Sequence, residues 1–175
     1  MLARLENEPA MISLRTALLA LPLLLLPRAA AALEPPEQAI QAVKSKYPAC
    51  RGEASPEAVE QAAAAHQQAL EAFDKLEFGR AADLWSQAYG HDCTRPRVFV
   101  NIGNAFERAG DKAAAIAAYE LLLERAPEGQ ERIQEKARIL RKQLEDDYVK
   151  GRADEKDEEA KHAKCGPTAH NNAHQ

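Results

Sequence analysis

Aromatic side chains are scarce in this 175-residue chain, at 5% of the total. A core built from it has few large fillers and depends on many small contacts. Basic residues are not in excess: 23 Lys and Arg face 27 Asp and Glu, net charge −4. With no basic block, the electrostatic footprint of a nucleic-acid binder is missing. The chain also lacks a nucleophile elbow, a Walker loop, a dinucleotide fingerprint, an HExxH helix, a paired CxxC and the CxxCH of haem attachment. No enzymatic reaction, small-molecule substrate or cofactor is therefore expected. Only three cysteines occur, Cys50, Cys93 and Cys165. An odd number leaves at least one unpaired within the chain. If an intrachain bridge forms, Cys50 with Cys93 is the pair expected because both flank the helical body; an unpaired, buried Cys93 at a helix end is ranked ahead of it.

What the chain has in quantity is alanine, the strongest helix former. The expected fold class is all-α. Arg15, the apolar run Thr16–Pro27 and the small residues Ala29–Ala32 have the layout of a secretory signal peptide. Residues 1–32 are assigned to it, with translation starting at Met1 or at Met11. The run is shorter than the ~20 apolar residues of a membrane span. Export to the periplasm or beyond a Gram-negative-type envelope is expected, ahead of anchoring by an uncleaved signal. Residues 33–55 read as an arm with a short helix, on which Ile40, Val43 and Tyr47 form one stripe.

A helical domain is expected over residues 56–150. Ser55-Pro56-Glu57 is a helix start: a capping serine, proline at the first position and an acid in the first turn. Val59, Ala62, Ala63, His66, Leu70 and Phe73 recur at helical spacing and sit on one side. A second helix, about 79–89, carries Ala81, Leu84, Trp85 and Ala88. A third, about 96–108, carries Phe99, Ile102, Gly103 and Phe106. Gly110 stops it as a left-handed C-terminal residue, and Asp111 caps the fourth. The fourth, about 112–125, turns Ala115, Ala118, Tyr119 and Leu122 inward. Pro127 ends it. A fifth, about 130–150, bears Ile133, Ala137, Leu140, Leu144 and Tyr148. From Gly151 the pattern stops, and the charged, histidine-containing tail 151–175 reads as disordered or as frayed helix.

Shifted by 34 residues, the chain overlays itself. Ala81 falls on Ala115, Trp85 on Tyr119, Ala69 on Gly103 and Ala88 on Leu122. Thirty-four is the tetratricopeptide period. Residues 96–129 resemble that family's repeat: Phe99 stands for its Trp, Ile102 for its Leu and Phe106 for its Tyr. Tyr119 stands for its Phe, while Gly103, Ala115 and Pro127 match outright. The unit 62–95 departs from it, with Ala65, Ala69 and Ala72 in place of larger residues or Gly and Cys93 in place of Pro. The resemblance implies a short α-solenoid of about two and a half helix–turn–helix repeats, with residues 130–150 as a capping helix.

It further implies a concave groove lined by the first helix of each repeat. Carried over by position, that groove shows His66, Gln67, Leu70, Phe73, Arg97, Val100, Asn101, Asn104, Arg108, Arg138, Arg141 and Lys142. Some members clamp a peptide's C-terminal carboxylate this way, since converging donors suit acceptor oxygens. Here Glu107, Glu131 and Glu135 share that side, and a solvated charged face is the competing reading. The expected role is a non-enzymatic protein- or peptide-binding scaffold, the alternative a self-associating subunit of an envelope complex. In the tail, His162, Cys165, His170 and His174 offer metal-binding side chains. Their spacing fits no closed zinc site, and no metal is expected.

Overall fold

The computed structural model describes residues 33–164. The signal-peptide assignment, and Cys165, His170 and His174 of the tail, lie outside the described residues. The described chain is all-helical: α1 (Pro36–Lys44), α2 (Pro56–Asp74), α3 (Phe78–His91), α4 (Val98–Ala109), α5 (Lys112–Arg125) and α6 (Glu131–Lys164). None of these helices is long and apolar enough to cross a membrane.

Local chemistry sets the boundaries. The Ser55 hydroxyl accepts from Ala58 N at 3.2 Å, and Pro56 takes the first helical position. Asp111 caps α5 by accepting from Ala114 N at 2.9 Å. Gly110 ends α4 at φ 85°, a left-handed conformation that costs glycine little. Short connections fold each of α3, α4, α5 and α6 back onto its predecessor.

The main core joins α2, α3, α4 and α5. Ala69 and Ala72 of α2 meet Ala81 and Trp85 of α3, and Phe99 and Ile102 of α4 meet Leu121 and Leu122 of α5. The buried stripe of α2 is thus Ala65, Ala69 and Ala72, not the series from Val59 to Phe73. Ala63 and Leu70 are exposed and Val59, Ala62, His66 and Phe73 half-buried. On this alanine-rich helix the smallest side chains face inward because α3 approaches them closely.

A second core lies between α1, α5 and α6. Ile40 is fully buried there against Ala115, Ile116, Tyr119, Ala137 and Leu140. Burying such a side chain contributes about 1.5–3 kcal/mol. It explains why α5 (KAAAIAAYELLLER) is apolar all round: α4 covers one side, α1 and α6 another.

The arm continues from α1 across α3 and α4. The Tyr47 ring meets Tyr89 and Phe99 edge-on, with centroids at 6.2 and 5.2 Å. Its hydroxyl lies 2.7 Å from Ser86 Oγ, and its carbonyl accepts from Arg125 Nη2 at 2.5 Å. Cys50 and Cys93 form a disulfide, S–S 1.98 Å and Cα–Cα 5.3 Å, tying the arm to the α3–α4 connection.

Helix α6 departs from the sequence expectation. It runs through Gly151 to Lys164 as one 34-residue helix. Ion pairs along it, Arg152–Glu155 at 3.0 Å and Glu158–Lys161 at 2.7 Å, support the charged stretch. Leu33 packs over Gly151, where a Cβ would fall 2.5 Å from Leu33 Cδ1. Pro127 is exposed and acts by stopping α5, not by packing.

Candidate functional site

Of the twelve groove residues that the resemblance implies, the structure brings three together in one cleft. His66 of α2 and Arg97 and Asn101 at the start of α4 line one cleft of about 410 Å³. Arg97 and Asn101 are four residues apart and so share a helix face. Val59, Ala62 and Ala63 of α2 supply one apolar wall, and Ala88, Tyr89 and Val98 complete it. Four of the α2 residues that periodicity placed on one side, Val59, Ala62, Ala63 and His66, thus border this cleft.

The cleft's electrostatics follow from which groups are already paired. Asp92, 4% exposed, accepts from Thr94 N at 3.0 Å and Thr94 Oγ1 at 2.5 Å, and Arg95 Nε stands 3.1 Å from its other oxygen. The Thr94 hydroxyl, then its amide and the Arg95 guanidinium, hold the Asp92 carboxyl below its ordinary range. Arg95 is therefore partly neutralised. Arg97, by contrast, makes no ion pair among the described residues, and the side chains of His66 and Asn101 make no hydrogen bond there. The cleft presents unsatisfied donors and one uncompensated positive charge beside an apolar wall. It suits a segment carrying an apolar side chain and an anionic group. His66 leans on the buried Trp85 at 6.2 Å, so its ring is positioned from beneath. The Trp85 indole N–H is buried with no acceptor among the described residues.

Among the rest, Asn104, Arg108, Arg138 and Arg141 do not reach the cleft. Asn104 Oδ1 lies 2.9 Å from the Tyr119 hydroxyl and 3.0 Å from Lys136 Nζ, between α4 and α6. The Tyr119 hydroxyl, with one proton, serves the charged Glu107 at 2.8 Å, and Lys136 closes the cluster at 2.7 Å from Glu107. Burial, then the hydrogen bond to Glu107, drives the Tyr119 phenol well above its ordinary pKa. Arg108 is exposed outside the cleft. Arg138 is held by Glu135 of its own helix at 2.6 and 2.8 Å. Arg141 turns the other way, bonding Glu37 of α1 at 2.7 Å and Glu120 of α5. These carboxylates raise its pKa, the bond to Glu120 most. A continuous carboxylate clamp along α4 and α6 is therefore not assembled: Arg138 and Arg141 are spent on intrachain acids, and Arg108 lies outside the cleft.

Sequence reasoning missed Asp92, Arg95 and Tyr89 as cleft residues. The Asp92-Cys93-Thr94 turn carried a legible signal, an acid two residues before a threonine, which favours this local hydrogen bonding. A larger hollow of about 690 Å³ lies between the arm and α3, lined by Tyr47, Ser86, Lys46, Arg51 and Asp83 among others. Its walls carry charges of both signs, and the arm itself forms one of them. Among the described residues no three His, Cys, Asp or Glu side chains gather as a metal site, and His162 is exposed on α6. Comparison with protein-family models, with characterised proteins and with solved structures finds no match to this chain.

Proposed function

We propose that the chain is an exported, non-enzymatic helical-repeat scaffold of tetratricopeptide type, which binds a protein or peptide segment in the α2–α4 cleft. The observation that carries the binding role is the set of donors on Arg97, Asn101 and His66, unpartnered among the described residues and set beside an apolar wall. Buried or paired, they would serve the fold; open and adjacent, they serve a ligand.

Several features support the repeat reading. Helix α3 opens at Phe78 and α5 at Lys112, the offset of the sequence self-match. The two hairpin turns use the same backbone bonds, Glu77 N to Ala72 O and Asp111 N to Phe106 O, both 2.9 Å. Gly103 and Tyr119 make the close helix crossing that the repeat requires. The Cys50–Cys93 disulfide fits an oxidising compartment and so supports export to the envelope.

The reading is tested by selecting peptides from a random displayed library on the full chain, against Arg97→Glu in parallel. Selected sequences should pair an apolar residue with an acidic side chain or C-terminus, and Arg97→Glu should not retain them. Peptides retained equally by both proteins would place binding elsewhere, and no enrichment at all would remove the peptide-binding role.

A further inference from the structure

Leu76 occupies a position that the rest of the chain treats differently. It links α2 to α3, is 71% exposed and holds φ 62°. The α4–α5 turn repeats the same bonds 34 residues on: Leu76 N donates to Phe73 O at 3.0 Å and Gly110 N to Glu107 O at 3.1 Å. Glycine fills the left-handed position there, at φ 85°. A leucine at positive φ is strained, and one this exposed buries nothing in return. The turn accounts for the left-handed backbone, but not for a leucine in place of glycine nor for its exposure.

The cleft offers what such a side chain would fill. Val59, Ala62, Ala63 and Val98 give it an apolar wall, and Arg97 an uncompensated charge. The cleft draws on Val59 to His66 of α2, whereas Leu76 lies two residues past its last residue, Asp74. Eight residues of helical rise, about 12 Å at 1.5 Å per residue, separate His66 from Asp74 alone. One copy therefore cannot fill its own cleft, and two copies can. The charges match as well. Glu71, Asp74 and Lys75, all exposed, precede Leu76 and make no ion pair among the described residues, while Glu77 is paired with Arg80, so the turn carries a net negative charge.

We propose that Leu76 of one copy seats in the α2–α4 cleft of a second copy, with Asp74 facing Arg97. The proposal rests on the cleft being a binding site and names its occupant as this chain's own α2–α3 turn. Knob and hole are different surfaces, so the contact is head-to-tail and extends into a ring or an open chain.

The experiment is light scattering of the full chain over a concentration series. The wild type should grow in mass beyond a dimer. Leu76→Gly should associate about tenfold or more weakly, since the apolar knob is gone. It should also melt about 2–4 °C higher, because glycine relieves the left-handed strain. A leucine with no docking role would leave association unchanged while the melting temperature rises in the same way. Asp74→Arg and Arg97→Glu should each associate weakly alone and recover when mixed, because the exchanged charges then meet. A wild type that stays monomeric, or Leu76→Gly associating as the wild type does, would overturn self-docking. If the wild type is monomeric yet retains peptides through Arg97, self-docking falls and the peptide reading stands. If peptides are not retained either, both fall.

Discussion

Gly103 of α4 lies so close to the Tyr119 ring of α5 that a Cβ there would fall 2.3 Å from Cε1 and 2.6 Å from Cδ1. The ring cannot move aside, because Tyr119 is fully buried and its hydroxyl is fixed by Glu107 and Asn104. Gly103→Ala should therefore destabilise the fold by about 1–3 kcal/mol, the usual cost of overpacking. In urea denaturation the double variant Gly103→Ala/Tyr119→Leu should lose less than the sum of its single changes, since the smaller side chain admits the methyl group. Additive losses would mean that the two residues do not share the crossing.

The disulfide closes a long loop, with 43 residues separating Cys50 from Cys93. Chain-entropy arguments give about 2–4 kcal/mol for such a bridge. Cys50→Ala/Cys93→Ala should lower the denaturation midpoint accordingly, and peptide mapping without reductant should recover a Cys50–Cys93 cross-link from the native protein. Recovery of both cysteines as thiols would refute the bridge.

Much of the hairpin frame was legible in the sequence, because local chemistry sets it. Ser55, Gly110 and Asp111 act within a few residues of themselves, and Gly103 with Ala115 marked the close crossing by their size. The arm was not legible in the same way. Arg141 meets Glu37, 104 residues distant, and no periodicity reports such a pairing. The continuous apolar surface of α5 did signal that something covers its far side, although not that α1 does. Reading Gly151 as a stop misled, because spaced charge pairs carry α6 past it. On α2, periodicity placed the apolar stripe on one side but did not say whether that side is a cleft wall or an interior, because apolarity alone does not separate the two.

The strap formed by α1 rests on Ile40 and on partly exposed ion pairs. Arg141 joins Glu37 and Glu120, while Lys44 joins Glu124 and, at 3.3 Å, Glu120. Pairs of this exposure contribute about 1 kcal/mol at most. Arg141→Ala should speed hydrogen exchange in residues 36–44 by roughly fivefold, an effect that high salt reproduces in the wild type. Ile40→Ala should cost about 2–4 kcal/mol and release the strap. Unchanged exchange in both variants would show that α1 does not depend on these contacts.

Asp92 gives the α3–α4 turn a pH dependence of definite sign. Its folded pKa is lowered by Thr94 first and by Arg95 after it, so its stabilisation is present above the ordinary carboxylate range near pH 4. That stabilisation is lost as pH falls through the folded value. Asp92→Asn should be less stable than the wild type at pH 7, and the gap should close in acid. A gap constant with pH would assign the residue a role independent of its charge.

The central claim is that the α2–α4 cleft is a binding site, and the chain carries its own reporter of occupancy. Trp85 is the single tryptophan, buried against His66, which lines the cleft. Titration of a peptide selected on the wild type, read by Trp85 emission, should give a saturable change. Arg97→Glu should weaken the affinity about tenfold or more. Saturable binding of equal strength in the wild type and in Arg97→Glu, with no change in Trp85 emission, would contradict the account.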